Sequence, residues 1–229
     1  MLVSIVPTGA GNLASLRAAI GRAGGCVAIV EDAEAIRSAE RVILPGVGAF
    51  REAAIRLRSA GADEALRERI RRDRPTLCIC LGMQLLFDES EECGGAGSVA
   101  GLGVVRGAVR RFSSTDEAGR RLRVPHLGWS PVGADRDAPP DRRWRWSGWC
   151  AFAHSFRIDA PTAARGLADA SIGWSRYGER FVAGFERGAL VATQFHPELS
   201  GCVGAAIVED FIAPRSRPRR EIVLCEAEN

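Results

Sequence analysis

The feature that most constrains the fold is an apolar run that ends at a cysteine and continues at once as a helical pattern. Residues 75–79 have the character of a buried strand, Cys80 stands where the strand stops, and amphipathic helical spacing follows from Leu81 to Phe87. A sharp strand-to-helix turn presents its side chain at the carboxyl end of the strand, where the helix N-terminus favours a thiolate. The pattern predicts that Cys80 is a nucleophile in an α/β protein.

The same turn supplies backbone N–H groups that can stabilise an oxyanion. The residue after an elbow nucleophile normally donates one of them, so Leu81 is the candidate donor, and Gly82 leaves room for the tight turn. Gly46-Val47-Gly48 follows another predicted strand, at the edge where ligands collect in open α/β sheets. Taken alone, this glycine segment is typical of a tight turn. Beside a nucleophile, it becomes a candidate for the second donor.

A cysteine nucleophile also needs a base, and a late histidine is the candidate. His196 lies in the segment Gln194-Phe195-His196-Pro197-Glu198. Pro197 favours an extended backbone at His196, and in an extended segment Glu198 points to the same side and can orient the imidazole. The alternative for Cys80 is a buried core cysteine, which the following glycine and helix start argue against.

Composition narrows the class of protein. At 229 residues and 46% hydrophobic, the chain can bury one sizeable core, so a single domain is predicted. The net charge of +3 is small and interleaved along the chain, which does not indicate nucleic-acid binding. There is no long apolar span or signal-peptide pattern, and the seven cysteines are irregularly spaced, so we expect a cytoplasmic protein that does not enter a membrane.

Two features of the sequence bear on whether a metal or a dinucleotide is bound. The cysteine and histidine spacings match no zinc pattern, and Cys78 reads as a small core residue, so no metal is predicted. Gly9-Ala10-Gly11 resembles half of a dinucleotide fingerprint, but the third glycine and the later acidic residue are not at usable positions. No cofactor is therefore expected, and this glycine segment is interpreted as a loop at the rim of the site.

The order of predicted elements sets the fold class. The first half alternates strands at 2–6, 26–30 and 41–44 with helices at 13–22 and 50–72, the last interrupted near Gly61. The second half has short strand-like segments at 103–112, 121–124, 150–158, 181–185 and 188–195, then a helix at 203–212. This predicts an open, mostly parallel sheet with helices on both faces and antiparallel additions in the second half. One domain is assigned to residues 1–213, with a tail of unknown role at 214–229.

Aromatic residues gather in the second half. His126 and His154 each lie near aromatic side chains, and both are candidates for structural histidines. Trp144, Trp146 and Trp149 form a cluster, interpreted as core packing with a partner surface as the alternative.

At this point the motifs match a family. Cys-Leu-Gly-Met-Gln after a strand, with a late His-Pro-Glu, resembles the class I glutamine amidotransferases. Further segments narrow the resemblance to the glutaminase subunits of imidazole glycerol phosphate synthases, which act in histidine biosynthesis: Gly9-Ala10-Gly11-Asn12, Pro45-Gly46-Val47-Gly48-Ala49-Phe50 and Pro125-His126-Leu127-Gly128-Trp129. The resemblance covers about residues 2–212.

The resemblance implies a mechanism and a set of site residues. Cys80 would attack the carboxamide of glutamine to form a γ-glutamyl thioester, while His196, held by Glu198, protonates the departing ammonia. The resemblance also implies that glutamine is held by the backbone of Gly46, Val47 and Gly48 and by Gln84, Ser155 and Phe156, and that the Leu81 and Val47 amides face the oxyanion.

The resemblance also implies a partner. Ammonia would pass to a (β/α)₈ cyclase subunit in a heterodimer, where a ribotide is converted to imidazole glycerol phosphate and an aminoimidazole carboxamide ribotide. Asn12, His126 and Trp129 would face that subunit. The glutaminase is expected to be nearly silent until a liganded partner closes the oxyanion hole.

Several positions depart from the family's pattern: Pro7, Thr8, Cys78, Ser130, Phe156 and Leu199. Most of them lie where the family meets its cyclase. An alternative interpretation is therefore a paralogous amidotransferase that supplies ammonia to a different synthase. A non-enzymatic scaffold is the alternative from another class, and the intact Cys80, His196 and Glu198 argue against it.

Overall fold

The computed structural model describes residues 1–9, 11–93, 100–213 and 222–223. Strands and helices alternate in the first half: β1 Leu2–Ile5, α1 Leu13–Arg22, β2 Cys26–Ile29, α2 Ala33–Ser38, β3 Val42–Leu44, α3 Phe50–Ser59, α4 Ala62–Arg71, β4 Thr76–Ile79 and α5 Leu81–Gln84. The second half is richer in strands: β5 Phe87–Ser90, β6 Val105–Arg111, β7 His126–Ala134, β8 Trp146–His154, β9 Phe156–Arg157, α6 Ala160–Gly166, β10 Ser171–Tyr177, β11 Glu179–Arg187, β12 Leu190–Thr193, α7 Gly201–Ile212 and β13 Ile222–Val223.

Among the described residues, ten strands form one sheet in the order β13-β8-β7-β10-β11-β12-β4-β3-β1-β2. One end of the sheet is a group of five neighbouring strands that run parallel to one another, in the spatial order β2, β1, β3, β4 and β12. From β12 outward, β11, β10, β7 and β8 are paired antiparallel. The predicted fold class is therefore confirmed: a parallel sheet carries antiparallel additions contributed by the second half.

Helices cover both faces of the parallel strands. Along β3, Val42 and Leu44 point into a core shared with α2, α3 and α4, whereas Ile43 points into a second core shared with α1 and α7. Side chains alternate sides along a strand, so a strand that is buried on both faces needs apolar residues at every position. This requirement explains the unbroken Val-Ile-Leu of β3.

The helical region at 50–72 is two helices, as its interruption predicted. Gly61 adopts a left-handed backbone with φ of 64° between α3 and α4, a conformation that glycine accepts without steric cost. At the start of α2, the Asp32 carboxylate accepts a 2.8 Å hydrogen bond from the Ala35 N–H, as expected for a helix cap.

The structure differs from the sequence predictions in several places. The helix after Cys80 is short, because Phe87 leaves it to begin β5, which pairs with Val105 of β6. Arg121 makes only an isolated bridge to Thr115, so no strand forms at 121–124, and β7 begins later, at His126. Helix α6 and strand β10 were not predicted.

The tail assigned to residues 214–229, for which no role was predicted, falls largely outside the described residues. Within the tail, only β13 is described, and it pairs parallel with β8 at Trp146 and Ser147. In the part of the chain that the structure describes, no helix is both long and apolar enough to cross a membrane.

Candidate active site

Cys80 occupies a strained backbone position. Its φ of 53° and ψ of −109° lie in a region that residues with a side chain rarely adopt, and such strain costs on the order of 1–3 kcal/mol. Two hydrogen bonds hold it: the Cys80 N–H donates to the Thr193 carbonyl at 2.7 Å, and its carbonyl accepts from the Gln84 N–H at 3.1 Å. The strand end of β12 therefore fixes the elbow at the end of β4.

Glycine after the elbow is a steric requirement. A Cβ atom at Gly82 would collide with the carbonyl oxygen of Leu44 at the end of β3. A Cβ atom at Gly46 would lie 2.9 Å from the Leu81 Cβ, so that glycine also permits a close approach of two chain segments. The two glycine motifs predicted from sequence therefore pack against each other beside Cys80.

His196 and Glu198 form a buried pair directly after β12. The imidazole Nδ1 lies 2.9 Å from Glu198 Oε1, and both side chains are buried. The pairing was predicted, but the route differs. His196 itself is extended, whereas Pro197–Leu199 is a 3₁₀ turn, which carries the carboxylate back beneath the imidazole.

The surroundings of His196 favour its charged form. Burial alone would lower the pKa of the imidazole, but its side-chain hydrogen bonds to Cys80 and Glu198 and the charges of both groups raise it well above the ordinary value. A protonated imidazole next to the sulfur is the arrangement that stabilises a thiolate and can later donate a proton.

Two buried glutamine side chains connect Cys80 to a backbone carbonyl. Gln84 Nε2 donates to the Phe156 carbonyl at 3.1 Å and to Gln194 Oε1 at 3.0 Å. Gln194 Nε2 in turn lies 3.6 Å from Cys80 Sγ. Gln194 stands in the histidine motif, but its role is not predictable from the sequence, because spacing does not show which way an amide faces.

A cavity of about 310 Å³ opens at Cys80. It is lined by most of the predicted site residues and by several others: Val47, Gly48, Cys80, Leu81, Gln84, Glu92, Pro125, Leu127, Ala153, His154, Ser155, Phe156 and His196. The structure thus brings the predicted residues together around one space. Gly46 and Glu198 lie behind this lining, packed against Leu81 and bonded to His196, respectively.

Glu92 was missed by the sequence analysis. It lines the cavity, and its Oε2 accepts a 2.8 Å hydrogen bond from the N–H of Phe50, the first residue of α3. A carboxylate at a helix N-terminus is favoured by the helix dipole. The available signal was a run of acidic residues, Asp88, Glu89, Glu91 and Glu92, which is common on any protein surface.

The oxyanion donor predicted at Leu81 is occupied. Its N–H donates to the Gly46 carbonyl at 3.3 Å. Gly48 has φ of 95°, and among the described residues no heavy atom lies within 4 Å of its hypothetical Cβ, so Gly48 has space around it whereas Gly46 does not. The Leu81 N–H is free to serve an oxyanion only when its hydrogen bond to the Gly46 carbonyl is broken.

The structure contradicts the prediction that the His126 side chain faces a partner. Alternation along β7 turns it inward, where it stacks on Tyr177 with ring centroids 4.0 Å apart. Its Nδ1 lies 3.2 Å from His154 Nε2, and its Nε2 lies 3.0 Å from Ser130 Oγ. Burial lowers the pKa of His126 to about 4 and that of His154 to about 3, so both are neutral structural histidines.

The opposite face of β7 and β8 is apolar and exposed. We call Leu127, Trp129, Pro131 and Trp149 the hairpin patch, because cross-strand register places them on one side. Leu127 is 69% exposed, Trp129 54% and Trp149 48%. Trp144 and Trp146 are buried instead, so the tryptophan cluster divides between core and surface.

Asn12 and Leu199, two further positions singled out in the sequence, are both exposed. Asn12 is exposed, and its side chain accepts from the Ser15 N–H at the start of α1. Leu199 is 45% exposed on the turn that packs against β8.

Among the described residues, no three His, Cys, Asp or Glu side chains gather as a metal site would require. Cys78 is fully buried, which raises the pKa of its thiol.

Comparison with known proteins places this geometry in a family. The family described as Glutamine amidotransferase class-I matches residues 11–213. The protein named "Imidazole glycerol phosphate synthase subunit HisH" of Geobacillus kaustophilus is 38% identical over 211 residues, covering 92% of this chain and 96% of that protein. The Bacillus subtilis protein of the same name is 36% identical over 210 residues, covering 92% and 95%.

A fused relative and a solved structure add to this. "Imidazole glycerol phosphate synthase hisHF, chloroplastic" of Arabidopsis thaliana is 40% identical over 216 residues, which are 93% of this chain and 34% of that protein. A structure described as "Crystal structure of glutamine amidotransferase" superposes with a TM-score of 0.66 at 19% identity, covering 92% of this chain and 96% of the other. At that identity the likeness concerns the fold alone.

Proposed function

The chain belongs to the class I glutamine amidotransferases, and from this we propose that it is the glutaminase subunit of an imidazole glycerol phosphate synthase in histidine biosynthesis. The observation that carries the chemistry is a single one: Cys80 stands on a strained elbow in one cavity with the paired His196 and Glu198. The relatives' names supply the enzyme, an imidazole glycerol phosphate synthase, and the fact that these relatives are one of its subunits. The substrate is glutamine.

The first half of the reaction uses the thiolate and the imidazolium. Cys80 Sγ attacks the side-chain carbonyl carbon of glutamine and forms a tetrahedral intermediate. The carbon–nitrogen bond then breaks, and the protonated His196 gives its proton to the leaving ammonia, which leaves a γ-glutamyl thioester on Cys80. Glu198 keeps the imidazole oriented and favours its charged form.

The second half regenerates the enzyme. The now neutral His196 takes a proton from water, and the resulting nucleophile attacks the thioester carbonyl. The carbon–sulfur bond breaks, glutamate leaves, and the thiolate and imidazolium are restored. Each step uses His196 in the protonation state that the previous step produced.

Glutamine recognition follows from the polar atoms left over in the cavity. Both N–H bonds of Gln84 are used internally, so its Oε1 is left as an acceptor for a donor on the substrate. Glu92 places a carboxylate in the lining of the same cavity. The Gln84 oxygen and the Glu92 carboxylate are two acceptors that suit the α-ammonium group of glutamine. The backbone N–H groups of Gly48 and Ser155 are donors that suit its α-carboxylate.

The occupied Leu81 N–H provides a reason for low activity in isolation. Losing one oxyanion donor costs about 10²–10³-fold in rate. Docking of a partner that releases the Leu81–Gly46 hydrogen bond would restore the donor and tie glutamine hydrolysis to the presence of an ammonia acceptor. The hairpin patch, whose Leu127 also lines the cavity, is the surface that we assign to a (β/α)₈ cyclase in a heterodimer. Cytoplasmic location stays a prediction.

The test measures glutamate release from glutamine by the purified chain, with and without the histidine-pathway cyclase and its ribotide substrate. Cys80→Ala is the blank. Strong stimulation that depends on Cys80 is the expected result. A chain that forms a Cys80 thioester with glutamine but is not stimulated would instead serve a different synthase. Hydrolysis that survives Cys80→Ala would remove the mechanism.

A further inference from the structure

A hydrogen-bonded chain of fixed polarity ends at the sulfur of Cys80. It begins at the Phe156 carbonyl oxygen, which can only accept. That oxygen takes an N–H from Gln84 at 3.1 Å, so the amide nitrogen of Gln84, and not its oxygen, must face it. One carbonyl thereby decides the orientation of the first side chain.

The second orientation follows from the first. The remaining N–H of Gln84 points at Gln194 and requires an acceptor, so Gln194 presents its Oε1 at 3.0 Å. The Gln194 nitrogen must then point the other way, and it lies 3.6 Å from Cys80 Sγ, a hydrogen-bond distance for the larger sulfur atom. Gln194 is fully buried, so water does not compete for these bonds.

We propose that Gln194 is a positioning residue that donates an N–H to the Cys80 thiolate and holds the sulfur against His196. The proposal rests on the proposed glutaminase function. A donor aimed at sulfur stabilises the thiolate over the thiol, and His196 acts on the same atom. Gln194 also follows Thr193, whose carbonyl accepts from the Cys80 N–H, so β12 holds both the backbone and the side chain of the nucleophile.

A second row of hydrogen bonds, through His154 and His126, begins at the same Phe156 carbonyl oxygen. His154 Nδ1 lies 2.8 Å from the Phe156 carbonyl and must donate to it, so His154 Nε2 accepts from His126 Nδ1. Because His126 Nε2 is then an acceptor, the Ser130 hydroxyl donates to it. The carbonyl therefore fixes the direction of the hydrogen bonds in both rows, and a flip of the Gln194 amide would break its own bonds to Gln84 and Cys80.

The test uses Gln194→Glu, which replaces the donor by a carboxylate of the same shape. The carboxylate can still accept from Gln84, but it opposes a thiolate. The probe is iodoacetamide, and the readout is the rate of Cys80 alkylation against pH, measured by peptide mass spectrometry on the intact chain. We expect the midpoint to rise by about one pH unit or more.

Thr162→Val is the matched control. Thr162 lies in α6, is as fully buried as Gln194, and its hydroxyl has no hydrogen-bond partner among the described residues, so the change is nearly isosteric and leaves the Cys80 profile in place. Gln194→Met removes the donor without adding charge, and it serves if Gln194→Glu does not fold. We expect it to shift the midpoint in the same direction by a smaller amount. If both Gln194 variants keep the wild-type alkylation profile, the proposal is overturned.

The kinetic readout separates this proposal from the proposed function. With the cyclase and ribotide present, Gln194→Met should lower kcat for glutamine hydrolysis while KM changes less than about threefold, because the side chain touches the nucleophile and not the substrate. Absence of hydrolysis in the wild-type chain would reject the proposed function and leave the alkylation result standing. Equal kcat in wild type and variant would reject only the role of Gln194.

Discussion

The parallel strands and the β7–β8 hairpin belong to one sheet but use their faces differently. In β3 and β4, side chains on both faces are buried, and the strained Cys80 is held where two parallel strands end. In the hairpin, one face buries His126 and His154, while the other exposes the hairpin patch. Strain needs surroundings that hold it on every side, whereas docking needs an open face. The strained nucleophile and the exposed patch therefore lie on differently paired parts of the sheet, and Leu127 of the patch reaches the cavity from the antiparallel side.

The largest expected effect is the loss of glutamine hydrolysis when the nucleophile is removed. Cys80→Ala should reduce glutamine hydrolysis at least about 10⁴-fold, because loss of a catalytic nucleophile leaves only binding and electrostatic effects. The matched control is Cys78→Ala, two residues earlier on the same strand, where the thiol is fully buried in the opposite core. We expect that variant to keep its activity and to lose about 1 kcal/mol of stability. Comparable losses of activity in both variants would mean that the elbow has no special role.

The next effect concerns the space beneath the elbow. Gly82→Ala should lower the free energy of unfolding by about 3 kcal/mol or more, because its methyl group collides with the Leu44 carbonyl. Gly21→Ala, in the last turn of α1, is the control. Among the described residues, no atom outside the helix's own backbone and the neighbouring residues lies within 4 Å of its hypothetical Cβ, and we expect a gain of about 0.5–1 kcal/mol. Urea titration measures both. A tolerated alanine at Gly82 would show that β3 can move away.

The same division explains what the sequence could and could not predict. The strand at 41–44 and the strand before the Cys80 elbow were predicted because burial on both faces gives a dense apolar pattern. The helical region at 50–72 was predicted from its strongly charged helical pattern, with a break near Gly61. The β7 strand was missed because Gly128, Pro131 and Gly133 interrupt its alternation, and its register is set by β8 across the sheet.

Within the site, residue identities were predictable and orientations were not. Cys80, His196 and Glu198 lie in recognisable motifs, and the structure brings them to one place. The inward turn of His126, the occupied Leu81 N–H and the direction of the Gln194 amide depend on contacts between segments distant in sequence. A one-dimensional pattern carries no information about which hydrogen bonds are already used.

A smaller effect is expected on the open face of the hairpin. Trp129→Ala should weaken binding of the histidine-pathway cyclase by about 2 kcal/mol, or roughly thirtyfold, because exposed tryptophans often dominate binding surfaces. The control is Ile29→Ala, an exposed apolar residue on β2 at the opposite edge of the sheet. Isothermal titration calorimetry gives both affinities. Equal affinities for the two variants would move the docking surface away from the hairpin patch.

The smallest difference between wild type and variant is expected on the buried face, in the acid dependence of stability. Burial depresses the pKa of His126 and His154 below the ordinary value near 6.5, so below about pH 6.5 the unfolded chain binds two more protons than the folded one. Stability should fall by up to about 2.7 kcal/mol per pH unit as pH decreases, two groups at about 1.4 each. The raised pKa of His196 adds no slope there, because that group is protonated in both states.

His126→Phe tests this dependence while keeping an aromatic ring against Tyr177 and Phe152. One titrating group remains, so the slope of unfolding free energy between pH 6 and pH 5 should fall to about half, near 1.4 kcal/mol per unit. Urea titrations at several pH values give the slopes. The carboxylates with lowered pKa, Asp116 and Asp159, titrate below this window and affect both proteins alike. Identical slopes in the two proteins would show that His126 is not held neutral in the folded state. The buried face of the hairpin would then differ less from its exposed face than the structure indicates.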